Sequence, residues 1–167
     1  MLSSFIIVSS DTAATTTNPS VRFVGTEILF ENTTVSVKVC TETDDQILPM
    51  LCIEAKRDCS EIDGATVDGV LRATESMLER ETKFATLWDL SFCPVPSASC
   101  VFHCLRWAMS NKRNLDNLNM RMAIMLPSSS STFNTILKNV LIAFRPKCSI
   151  RTTLDLDDAM SFLRVRA

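Results

Sequence analysis

The chain has 167 residues, a formal net charge of −2, and 46% hydrophobic against 22% charged residues, the proportions of an ordinary domain with a real core. Its three glycines leave no material for a glycine-rich phosphate cradle, so neither a dinucleotide fingerprint nor a P-loop is present. The slightly acidic balance argues against a general nucleic-acid surface, and no apolar stretch approaches the ~20 residues of a membrane span.

The first segment, MLSSFIIVSSDTAATTTNPS, has a short apolar centre and no basic residue before Arg22. That is too short and too uncharged for a secretory signal, and its Ser/Thr richness is only a weak transit-peptide signature. Residues 1–20 therefore read as a flexible tail, with FIIVS as a stray strand, ahead of one domain over 21–167. The seven cysteines are an odd number without a C-x-x-C pair. They are expected to be reduced, mostly buried thiols of a cytoplasmic protein.

VRFVGTEILFE and TTVSVKVCTE are rich in β-branched residues and predict two strands, with the turn at Glu31-Asn32. ILPMLCIEAKR is a third strand, which Pro49 would either place at an edge or make start late. The period then changes. Val67, Val70, Leu71, Thr74 and Leu78 mark one face of an amphipathic helix over 66–82, with Gly69 as a weak point. Three strand-then-helix units follow. They are strand 84–90 with a helix near 98–111, strand 120–127 with a helix carrying Phe133, Ile136, Leu137, Val140, Leu141 and Phe144, and strand 149–154 with a helix capped by Asp155. In the helix near 98–111, Val101, Cys104, Leu105, Ala108 and Met109 form the expected inner face. Alternation of this kind predicts an α/β fold. Its mixed sheet has N-terminal antiparallel strands, then three parallel strand-helix units with right-handed crossovers and about four helices.

In that architecture the strand-to-helix corners share one end of the sheet, and they read CPVPSASC, LPSSSSTF and TTLDLDD. Ser97 suits an N-cap, and one of Ser128, Ser129, Ser130 and Ser131 can cap the next helix. Capping explains a serine at each corner, though helix starts are also where open α/β sheets tend to bind ligands. Asp89 either lies buried or accepts N–H bonds from its own loop. Cys100, His103 and Cys104 form a C-x2-H-C cluster that lacks the two-pair spacing of a zinc site. Cys100 beside the sole histidine also has the look of a nucleophile and base, but no orienting carboxylate or oxyanion loop is visible. Basic residues concentrate in the second half without interleaved aromatics, which fits a solvated surface better than a nucleic-acid site.

The order strand, strand, strand, helix, then three strand-helix units resembles the STAS family and the related SpoIIAA-like group, the fold of anti-sigma-factor antagonists. Asp89-Leu90-Ser91 is similar to the first part of that family's third-strand motif. Ser97-Ala98-Ser99-Cys100 stands where its Asp-Ser-Ser-Gly opens a helix, and LDLDDAMSFL resembles its closing helix. The likeness spans roughly residues 21–165 by pattern rather than identity. It implies a non-catalytic regulatory module and places the family's phosphorylated serine on Ser99, while Ser97 and Cys100 depart from the acid and the glycine. The expected edge for a partner protein comprises Asp89, Ser91, Ser97, Ser99, Cys100, His103 and Ser128–Ser131. Neither cofactor nor metal is implied. A lipid-like or anionic small ligand, as in SpoIIAA-like and Sec14-like proteins, is the alternative, and a structural role or homo-oligomer formation is a third.

Overall fold

The computed structural model describes residues 23–42, 47–127 and 131–164. The tail expected over 1–20 and the serines Ser128–Ser130 lie outside these residues. β1 (Phe23–Glu31) and β2 (Val35–Glu42) form an antiparallel hairpin. Asn32 shapes its turn. The Asn32 carboxamide oxygen accepts from the N–H groups of Thr34 and Val35 at 2.9 and 2.7 Å, and its amide donates to Thr66 at 2.9 Å. β3 (Met50–Ala55) pairs antiparallel with β2 and parallel with β4 (Phe84–Asp89), so it is an interior strand. Proline is tolerated because Pro49 precedes the first ladder residue, and its carbonyl still accepts from Ala85 N–H at 3.0 Å.

β4, β5 (Asn119–Met125) and β6 (Ser149–Thr153) are parallel neighbours, as the alternating pattern predicts, and the six strands lie in the order β1-β2-β3-β4-β5-β6. Because each right-handed crossover steps the same way across the sheet, the crossover helices gather on one face. They are α1 (Gly64–Leu78), α2 (Ala98–Ser110), α3 (Lys112–Leu118) and α4 (Ser131–Phe144). After the edge strand β6, α5 (Leu156–Leu163) packs on β4, β5 and β6 from the opposite face.

Each face has its own core. Val37, Leu51 and Phe84 meet Val70, Ala73 and Met77 of α1 on the first. On the second, Ala85 and Ala123 present so little side chain that Ala159 and Leu163 of α5 seat directly on the strands. α5 has only eight residues, and this close approach gives it a fully buried side. Asp155 caps it, accepting from Asp157 N–H at 2.8 Å.

The helices differ from expectation in two places. α1 starts at Gly64 under an Asp63 cap and stops at Leu78, where Glu81 soon takes a positive φ of 52°. α3 is a fifth helix, formed where the chain bends at Asn111 and restarts in the polar stretch KRNLDNL. Among the described residues no helix is long and apolar enough to cross a membrane.

Candidate functional site

Parallel pairing brings the carboxyl ends of β3, β4, β5 and β6 to one rim, with four strand-to-helix corners and the β1–β2 turn beside them. At the β4 corner, an Asp89 oxygen accepts from Ser91 N–H at 3.1 Å, so this carboxylate turns its own loop. Asp89 alternates with Trp88 along the strand and so stands on the α5 face, beside Glu54. The neighbouring loop leans on this corner, with the Arg57 guanidinium 5.5 Å from the centre of the Phe92 ring.

Ser97 caps α2. Its hydroxyl accepts from Cys100 N–H at 3.3 Å and lies 2.9 Å from the hydroxyl of Ser99. Ser97, Ala98 and Ser99 are all exposed, and the first turn of α2 holds no acidic residue. Three large apolar side chains are also exposed around this helix start: Phe92, Val95 and, at 67%, Phe102. Ser99 and Phe102 are three residues apart and share one outer face of α2. Ser131 is the first residue of α4 and is exposed.

Cys100 does not belong to that exposed edge. It is 9% exposed, packs against Val67 and Leu71 of α1, and its thiol points to the carbonyl of Ile62 at 3.5 Å. α2 is turned so that Cys100, His103, Cys104 and Trp107 face α1, rather than being centred on Val101. Trp107 donates its indole N–H to Glu75 at 2.6 Å, and His103 Nε2 lies 3.4 Å from Asp68. A carboxylate therefore does stand beside the histidine, supplied by α1. The thiol, held by Ile62, is directed elsewhere. Among the described residues no three His, Cys, Asp or Glu side chains gather as a metal site.

Burial pushes the Cys93 thiol up to about 12 and Cys104 to about 11, which leaves them inert at neutral pH. Cys40 moves the other way, down to about 7, because the Cys52 thiol hydrogen-bonds to it and the Lys38 charge lies near. Sequence reasoning passed over this pair. The available signal was that two predicted neighbouring strands each carry one cysteine.

Four basic residues of the second half are engaged within the fold. Arg151 pairs with Asp158 at 2.7 Å, Arg164 with Glu42 at 3.1 Å and Lys112 with Asp116 at 3.1 Å, and Arg121 donates to the Phe162 carbonyl at 2.7 Å. An open cleft of about 690 Å³ lies between the end of α1 and α3, lined by Glu75, Glu79, Glu81, Asn111, Asn114 and Asn117. Its carboxylates suit cations, and it lies away from the helix-start rim.

No family model, curated protein or solved structure matches this chain. The rim, with its exposed serines and apolar side chains, carries the functional reading.

Proposed function

We propose that this chain is a non-catalytic, STAS-like interaction module that docks a partner protein on the outer start of α2, with phosphorylation of Ser99 as its switch. The observation that carries this reading is the exposure of Phe92, Val95 and Phe102 around Ser97 and Ser99. Large apolar groups left in water at one corner favour a protein surface that covers them. Ser99 stands where a phosphate dianion would meet the unpaired N–H groups of a 13-residue helix. The Ser97 hydroxyl, now beside Ser99, would donate to it. Two added charges on this edge would repel an apolar or acidic partner by desolvation and like charge.

The small-ligand reading has less support. The acidic cleft lies between α1 and α3, and a second groove, between β1 and α1, is lined by Leu29, Phe30, Asp68 and Arg72. The first lies away from the rim, and the second runs from Ala65 at the start of α1 down its flank to Ser76, on the far side of α1 from the serines of α2.

The test is retention of host proteins by the full chain, compared with Phe102→Ala, Ser99→Ala and Ser99→Asp, each checked for wild-type melting. One protein should be held by wild type and Ser99→Ala. It should fall by about tenfold with Phe102→Ala and with Ser99→Asp. Equal retention by wild type and all three variants removes both the docking edge and the switch. Equal retention by the two Ser99 variants alone removes only the switch.

A further inference from the structure

Three sulfur-bearing side chains meet on the sheet face opposite α1. Cys40 on β2 is the register partner of Met50 on β3, and Cys52 lies two residues further along β3. Alternation along a strand therefore puts all three on one face. They belong to the core cluster beneath α5 and are 5%, 4% and 7% exposed, in that order. Thr26 on β1 is the register partner of Cys40, so the two cysteines and the methionine lie between β1 and β4 on this face. Lys38 is the register partner of Cys52, with its ammonium 2.9 Å from Glu54.

We propose that Cys40, Met50 and Cys52 form a binding site for one Cu(I) ion. The donor set selects the metal, since two thiolates and a thioether are soft ligands that favour Cu(I) over hard cations. A structural zinc ion would want four ligands, and no third His, Cys, Asp or Glu joins the pair among the described residues. Register also favours a bridging ion over a disulfide. Cys40 and Cys52 are diagonal rather than directly opposite, and diagonal cross-strand Cα atoms lie about 7–8 Å apart, beyond the roughly 4.4–6.8 Å that a disulfide spans. Metal–thiolate bonds of about 2.3 Å, as found with zinc, let one ion join sulfurs about 4 Å apart. That is twice the ~2.05 Å of an S–S bond.

Binding replaces the two thiol protons with one Cu(I), and no electrons move. The resulting complex carries one net negative charge. The Lys38 ammonium, whose charge acts on both sulfurs, lies beside it and is shared with Glu54. Thr26 and Ile28, both exposed on β1, flank Cys40 and Lys38, so an ion can approach from the side of β1.

The experiment titrates the reduced full chain against a chromophoric Cu(I) chelator and maps thiol alkylation by mass spectrometry. One equivalent of copper should leave the chelator, and Cys40 and Cys52 should become at least ~10-fold slower to alkylate, with Cys93 and Cys148 unchanged. X-ray absorption of the loaded protein should show sulfur neighbours only. Met50→Leu keeps the volume and should melt as wild type while holding copper about tenfold more weakly. Cys40→Ala with Cys52→Ala should hold none, and Zn(II) offered to wild type should not be retained. Alkylation mapping needs no substitution, so the result stands even where a cysteine variant fails to fold. Copper retention that survives loss of both cysteines, or alkylation that copper leaves unchanged at Cys40 and Cys52, overturns the site. Unchanged retention in Met50→Leu overturns its third ligand, and a Cys40–Cys52 disulfide formed with peroxide in place of copper retention overturns the geometry.

Discussion

Ser97 serves two neighbours with one oxygen, accepting from Cys100 N–H and lying beside the Ser99 hydroxyl. Removing it should leave an N–H of the first turn without a partner. We expect Ser97→Ala to lower stability by about 1 kcal/mol in urea unfolding, and Ser97→Asp to recover most of that. A loss well under half that size would mean that water caps α2 as well as the serine does. The cap was legible because a small polar residue follows a proline and precedes an apolar run. The orientation of α2 was not. The apolar period centres the buried face on Val101, whereas the packed side is Cys100, His103, Cys104 and Trp107, one position back and so about 100° around the helix. What turns the helix is α1 and the loop that leads into it, through Trp107 to Glu75 and Cys100 to the Ile62 carbonyl. Both links join residues far apart in the chain, and a local pattern carries no record of them.

Gly69 shows the same division at the scale of an element. In the sequence it weakens a helix, since glycine costs roughly 1 kcal/mol against alanine in a helix interior. In the fold, a Cβ at this position would lie 2.3 Å from two carbons of the Phe30 ring on β1. The glycine lets α1 settle against the hairpin. We expect Gly69→Ala to be destabilising by about 1 kcal/mol, because overpacking of roughly 1–3 kcal/mol exceeds the propensity gained. Gly69→Ala combined with Phe30→Leu should regain part of the loss, and denaturant midpoints of the two single variants and the double would measure that coupling. If Gly69→Ala alone is stabilising, the ring moves freely and the contact does not hold α1. Strands and long helices were readable from period and β-branching, whereas Pro49 was readable only as an edge or a late start for β3, and pairing on both sides leaves the late start. α3 was not readable, because none of its residues is buried and its apolar residues, Leu115 and Leu118, are too few to set a period.

The whole molecule follows from a single rule applied repeatedly. Each crossover advances one strand in the same direction, so the strand order never reverses and the helix starts form a row at one end. A crevice of the kind made by reversing strand order is therefore not built among β3–β6, which is why this rim is a ridge rather than a cleft. Stability against pH is the property in which the parts of the molecule add together. Glu27, Glu31 and Asp63 are lowered by hydrogen bonds with Arg80, Lys56 and Thr66, so their contribution is present above the ordinary carboxylate range and is lost as acid protonates them. On the alkaline side, burial raises Cys59, Cys93, Cys104 and Cys148 above the ordinary thiol value of 9.0, and Cys52 is raised chiefly by its bond with Cys40. Above that value the unfolded chain releases thiol protons that the folded chain keeps, so stability must fall as pH rises. Cys40 opposes this, because its lowered value of about 7 adds stability between there and 9.0. One thiol against five sets the sign. We expect the urea midpoint to be nearly level from about pH 5 to 7, to rise modestly toward pH 8 as Cys40 ionises, and to be lower at pH 3 and again at pH 10.5. Replacing Cys93 and Cys104 together by alanine should flatten the alkaline fall while leaving the acid limb in place. A midpoint that continued to climb through pH 10.5 would show that these thiols ionise freely in the folded chain and that the layers over them are open to water.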